Sequence, residues 1–124
     1  MKKLLIVDDS ATMRKIIMRV LRQAEISVDE ILEASNGVEG LEQLATNPEV
    51  QMILSDINMP EMNGIDFVKA VRSEHQKEAL PMVMITTEGG EAMVDAAMSS
   101  GANGYVTKPF TPDSIRDALE GFIG

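Results

Sequence analysis

Leu4-Leu5-Ile6-Val7-Asp8-Asp9 is the stretch that decides the fold. Its apolar run is too short for a helix and has no polar alternation, so it reads as a strand buried on both faces. It ends on two carboxylates. The same theme returns at Met52-Ile53-Leu54, shortly before Asp56, and at Met82-Val83-Met84-Ile85, directly before Thr86 and Thr87. Weaker strands are expected at Ile31-Leu32 and at Gly104-Tyr105-Val106, the last leading to Lys108. Strands buried on both faces belong to a parallel sheet covered by helices.

Helical patterns fill the intervals. Met13, Ile16, Ile17, Val20, Leu21 and Ala24 form one buried stripe, with Ser10 as its N-cap. Val38, Leu41, Leu44 and Ala45 mark a second helix. Asn63 opens a third, with Asp66 three residues on. Ser99-Ser100-Gly101 ends a fourth, with Gly101 in the left-handed position. Thr111-Pro112-Asp113 starts a fifth, whose expected core face is Ile115, Leu119, Phe122 and Ile123. Five β–α units with short connections predict one α/β domain over residues 1–124, a doubly wound parallel sheet with five helices.

Composition agrees. The chain has 124 residues, 44% of them hydrophobic and 25% charged, which is globular rather than disordered. It has no Cys, which excludes a disulfide framework, an iron–sulfur site and a thiolate nucleophile. No apolar run reaches the length of a membrane span, and the basic start gives way to Asp8-Asp9 too soon for a signal peptide. A cytoplasmic protein is expected. Eleven basic against 20 acidic side chains give a net charge of −9, spread over both halves of the chain. Such a balance argues against nucleic-acid binding and reads mostly as solubility.

Parallel strands place their carboxyl ends on one rim, where doubly wound folds bind ligands. That rim is expected to carry Asp8, Asp9, Asp56, Thr86, Thr87 and Lys108. An Asp after a strand is commonly only a turn or cap residue; the convergence of the whole set argues for chemistry. Clustered carboxylates repel unless a cation joins them, and hard oxygen ligands suit Mg²⁺. Soft metals are disfavoured because the rim has no His or Cys. Lys108 suits a phosphoryl oxygen, and a carboxylate can act as nucleophile to form an aspartyl phosphate.

In this order, Ile6-Val7-Asp8-Asp9-Ser10, Asp56-Ile57-Asn58-Met59-Pro60-Glu61-Met62-Asn63-Gly64, Ile85-Thr86 and Lys108-Pro109-Phe110 form a specific set. The chain resembles the receiver domain of two-component response regulators over essentially its whole length, most nearly the stand-alone chemotaxis regulators. The resemblance implies strand order 2-1-3-4-5. It implies that Asp56 accepts a phosphoryl group from a histidine kinase. Asp9, Asp56 and the backbone carbonyl of Asn58 would bind Mg²⁺ directly, and Asp8 through water. Lys108 and Thr86 would contact the phosphoryl oxygens, Tyr105 would turn inward when Thr86 moves, and the Lys108-Pro109 bond would be cis. The implied partners are a CheA-like sensor histidine kinase, an output protein such as a flagellar motor switch component, and a phosphatase. The expected state is a monomer that switches rather than an enzyme.

A single-domain phosphorelay intermediate or a phosphate sink fits the residues too. A Mg²⁺-dependent phosphatase working through an aspartyl phosphate would need a second Asp where Asn58 stands. A flavodoxin-like carrier would need aromatics to sandwich a flavin, and the chain has three Phe and one Tyr. Thr86-Thr87-Glu88-Gly89-Gly90 is the expected mobile loop of the switch, and Thr87 is bulkier than the small residue common there, which would slow dephosphorylation. Glu91 to Met98 is apolar nearly all round, so leftover apolar surface is expected on that helix. Arg14, Lys15, Arg19 and Arg22 lie opposite the apolar stripe of the first helix and read as a solvated face, with kinase docking as the sharper alternative. His75 has no assigned role.

Overall fold

The computed structural model describes residues 2–76, 79–87 and 90–122. The elements alternate strictly: β1 (Lys3–Val7), α1 (Ala11–Gln23), β2 (Glu30–Ala34), α2 (Gly37–Thr46), β3 (Met52–Asp56), α3 (Gly64–Arg72), β4 (Met82–Thr87), α4 (Glu91–Ser100), β5 (Gly104–Lys108) and α5 (Pro112–Leu119). All strand pairs are parallel, in the order β2-β1-β3-β4-β5. The doubly wound sheet expected from the sequence is present.

The pleat sorts the apolar runs into two cores. Leu5, Val7, Ile53, Met82 and Met84 face α2, α3 and α4, where Phe67 is the largest buried side chain. Leu4, Ile6, Met52, Leu54, Val83 and Ile85 face α1 and α5. Consecutive residues of β1, β3 and β4 thus serve opposite cores, so these strands must be apolar throughout. The sheet edges are β2 and β5, each only partly buried, which explains their weaker sequence signal.

Caps set the helix starts. The side chains of Ser10, Asn36, Asn63 and Thr111 accept from the backbone N–H of Met13, Glu39, Asp66 and Ser114. Helix α4 is the exception: Gly90 stands at its N-cap and offers no side chain. Its far end is held firmly. The Arg72 guanidinium donates to the carbonyl of Gly101 (2.7 Å), to the carbonyl of Leu80 (2.9 Å) and to Asn103 Oδ1 (2.7 Å). Gly101 itself has φ +123°, the left-handed position anticipated at the helix end.

The structure corrects two sequence expectations, on α5 and α4, and shows which face of the expected α2 is buried. Phe122 is exposed rather than core, because α5 ends at Leu119 and the chain runs off the packed face; Ile123 lies outside the described residues. On α2, Val38 and Ala45 are exposed, and the helix buries Gly37, Gly40 and Leu44. A Cβ on Gly40 would stand 2.8 Å from the Phe67 ring, so the glycine admits the aromatic. On α4, Met93 and Met98 pack on the core and the exposed positions are Glu91, Ala92, Asp95 and Ser99, so a broad leftover apolar surface is absent.

Helix α1 ends in a left-handed turn, with Ile26 N–H reaching back to Leu21 O at 3.0 Å and Glu25 at φ 61°. An L-residue there costs about 1–2 kcal/mol, partly offset by the greater unfolded-state entropy of glycine. Glu25→Gly is expected to raise stability by about 0.5–1 kcal/mol, or roughly 2–4 °C in Tm by calorimetry; an unchanged or lower Tm would contradict the strain argument.

Candidate functional site

The parallel register brings the strand ends together. Asp56 closes β3 and pairs with Ile85, so Thr86 lies one residue beyond on the next strand. Thr86 pairs with Thr107 and Thr87 with Lys108. Asp8 and Asp9 follow β1, where the Asp8 N–H bonds Ala34 O at 3.0 Å and anchors the turn to β2. One carboxylate oxygen from each of Asp8, Asp9 and Asp56 lies within 4.8 Å of the others. Lys108 Nζ is 3.5 Å from Asp56 Oδ2 and 3.9 Å from Asp8 Oδ2. The Lys108-Pro109 bond is cis.

The carboxylates are not equivalent. Asp8 and Asp56 are buried and Asp9 is exposed. Asp8 Oδ1 accepts from the Ser10 N–H at 2.9 Å, closing an Asx turn that the spacing of Asp8 and Ser10 would have signalled. Asp8 Oδ2 is buried without a hydrogen-bond partner. Burial, above all, pushes the Asp8 carboxyl above its usual range; Asp56 and Asp9 add repulsion, while the Ser10 N–H and Lys108 act against it. Asp56 Oδ1 accepts from the Ile57 N–H at 2.8 Å, which leaves Oδ2 turned toward Lys108.

Other groups shape the rim. The Arg14 guanidinium donates to the Asp8 carbonyl and to Glu33, so this member of the basic face is engaged at the site's edge. A Cβ on Gly64 would stand 2.4 Å from the Asp56 carbonyl oxygen, and the Gly64 N–H bonds Ile57 O at 2.7 Å. Only glycine lets α3 begin this close to the strand end. Neither contact was anticipated from sequence; the Asn63-Gly64 pair was read only as a helix start. Asn58 lies exposed in the loop after Asp56.

Thr86 is buried, and among the described residues its hydroxyl makes one long bond, 3.4 Å to the Thr87 carbonyl. Tyr105 is 51% exposed. The register places both on one face of the sheet, since Tyr105 is two residues before Thr107, the partner of Thr86. Thr87 is exposed; Glu88 and Gly89 lie outside the described residues. No described helix is long and apolar enough to cross a membrane.

The donor set fits a hard divalent cation: three carboxylates face one ammonium, and a buried Asp8 oxygen lacks a partner. Comparison with known proteins points the same way. Residues 4–120 match the family model described as response regulator receiver domain. A chemotaxis protein CheY homolog of Campylobacter jejuni is 48% identical over 122 residues, covering 98% of this chain and 92% of that protein. Chemotaxis protein CheY1 of Helicobacter pylori is also 48% identical, covering 98% and 97%. Among solved structures, chemotaxis response regulator CheY4 of Vibrio cholerae superposes with a TM-score of 0.81 at 36% identity, covering 98% of both chains. With a match that spans nearly its whole length and strand ends that bring Asp8, Asp9, Asp56 and Lys108 together, the chain belongs to the response regulator receiver domain family.

Proposed function

We propose that residues 1–124 work as one phosphorylation-driven signalling switch of the chemotaxis type, with Asp56 as phosphoacceptor. The observation that carries this is the buried Asp56 carboxylate, with Oδ2 facing Lys108 and two further carboxylates beside it. Asp56 Oδ2 attacks the phosphorus of a phosphohistidine on a sensor kinase. The P–N bond breaks, its electron pair returns to the imidazole nitrogen, and an acyl phosphate forms. The Ile57 N–H holds Oδ1 and so aims Oδ2. Lys108 stands where it meets an incoming phosphoryl oxygen.

Asp9, Asp56 and the Asn58 carbonyl would hold Mg²⁺ directly, and Asp8 through water. When bound, the ion neutralises charge on the phosphoryl oxygens and between the carboxylates. Among the described residues Thr86 has no strong hydrogen bond to give up, so its hydroxyl is available to a phosphoryl oxygen, and its movement would free space for Tyr105. Tyr105 then changes the face offered by α4, β5 and α5. Output goes to a separate protein, such as a flagellar motor switch component. Asn58 in place of an acid leaves no group to protonate an ester leaving oxygen, which weighs against a phosphatase.

Incubation with acetyl phosphate and Mg²⁺ is expected to add one acid-stable, base-labile phosphate by mass spectrometry, and Asp56→Asn to abolish it. Sustained turnover of a phosphate ester would instead support the phosphatase.

The exposed Thr87 lies opposite Lys108 at the mouth of the site. Thr87→Ala is expected to speed loss of the phosphoryl group about threefold by opening a path for water; an unchanged decay rate rejects that role.

The raised Asp8 carboxyl sets a pH dependence. The folded chain keeps this proton above pH 3.8, the ordinary value, where the unfolded chain has released it. Its ionisation therefore lowers stability as pH rises through the raised pKa. Metal-free Asp8→Asn is expected to melt above the parent by roughly 4 °C at about pH 7, with a smaller gap near about pH 4. Added Mg²⁺ should close the gap by stabilising the parent. A pH-independent gap that Mg²⁺ leaves untouched would contradict the site.

A further inference from the structure

The loop from β3 to α3, residues 57–63, is fixed at two points. At its base the Gly64 N–H bonds Ile57 O at 2.7 Å. At its tip, Glu61 and Met62 lie against the amino end of α2. The Gly37 N–H donates to Met62 O at 3.3 Å. The Met62 side chain sits so closely on Gly37 that a Cβ there would stand 2.7 Å from its Cγ and Sδ. The Asn36 amide donates to Glu61 Oε2 across 3.4 Å. Glu61 has φ 65°, a conformation that a residue with a side chain seldom adopts unless its surroundings hold it there.

Asn36 is placed to do this holding. It is only 7% exposed. Its Oδ1 caps α2 by accepting from the Glu39 N–H at 2.9 Å, and Glu39 Oε1 in turn accepts from the Ser35 N–H at 2.9 Å. With Oδ1 committed to the helix, the amide nitrogen turns the other way, toward the loop. A buried amide donor needs an acceptor, and Glu61 supplies one. Between the two fixed points runs Asn58, two residues past Asp56, and Met59 packs on the core beside it. The span that carries Asn58 is therefore tied at both ends, once to its own strand and once to α2.

From this geometry we infer that Asn36 is a positioning residue for the metal site. By clasping Glu61 it sets where the Asn58 backbone carbonyl stands relative to Asp9 and Asp56. The inference rests on the reading of that carbonyl as a Mg²⁺ ligand, given above. It adds a residue from another β–α unit, outside the acidic cluster, that tunes affinity without touching the ion.

Asn36→Asp separates the two roles of the side chain. The new carboxylate caps α2 as well as the amide does, but it has no N–H for Glu61 and repels it. Mg²⁺ binding, followed by calorimetric titration of the unphosphorylated chain, is expected to weaken about tenfold. Tm should stay within about 3 °C of the parent, because the cap is kept. The sign is informative: an added negative charge acting through its field alone would tighten the binding of a cation. Combining Asn36→Asp with Glu61→Gln turns the bond round, with the donor now on the loop, and keeps the parent's net charge. This swap is expected to restore affinity to within about twofold. Gly37→Ala crowds Met62 while leaving the cap, and should weaken binding by a steric route. Unchanged or tighter binding in Asn36→Asp, or a loss that the swap leaves unrepaired, overturns the inference. If Asp56→Asn weakens Mg²⁺ binding and Asn36→Asp does not, the clasp falls and the metal site stands. If the parent takes up no Mg²⁺, the metal reading falls and the clasp with it.

Discussion

Asp8 Oδ2 is buried without a hydrogen bond, and the nearest opposite charge is the Lys108 ammonium at 3.9 Å. Burying an ionised carboxylate on such terms is costly, and its neighbours Asp56 and Asp9 make it costlier. The fold has to hold these groups in place against their own repulsion. It does so with backbone. The Ser10 N–H fixes Asp8, the Ile57 N–H fixes Asp56, and the Asp8 N–H is tied to β2. The side chains are therefore held by backbone before any ligand binds, an arrangement that suits the cation and phosphoryl group proposed above.

The two cores supply the rigidity this demands. Because consecutive residues of β1, β3 and β4 point into opposite apolar layers, a shift of one residue would turn every side chain to the wrong core. The register that aligns Asp56 with Ile85 and Thr87 with Lys108 is locked by burial well away from the charges themselves. Chemistry at the rim and packing in the interior are linked through that register.

The central strands were legible from sequence because a short, continuous apolar run that stops at a carboxylate or a hydroxyl suits a strand buried on both faces and little else. The edge strands gave faint signals because β2 and β5 lose one neighbour and expose residues such as Glu30 and Glu33. Caps at Ser10, Asn63 and Thr111 could be read from local chemistry. The core positions of α2 could not, since Gly37 and Gly40 are buried by what packs on them, Met62 and Phe67, and a small residue carries no periodic signal. At the site, residue types and order announced the acidic cluster and its lysine. What remained hidden were features of three-dimensional approach: the orphaned oxygen of Asp8, the grip of Arg14 on the Asp8 carbonyl, and the closeness of Gly64 to Asp56. For α4, a run of Ala and Met looked apolar all round because sequence alone does not say that the methionines fold back onto the core while Glu91 and Asp95 face water.

Helix α4 is fastened unevenly. Its carboxyl end is gripped through Gly101 by Arg72, while its amino end begins at Gly90 with no side-chain cap and close beside Thr86. The first turn therefore carries fewer side-chain restraints than the last. In the switch proposed above, a change at Thr86 would meet this less restrained turn first. Val94 and Ala97, on either side of the helix midpoint, are buried against the core. Under that proposal the missing cap at Gly90 would decide which end of the helix the signal moves.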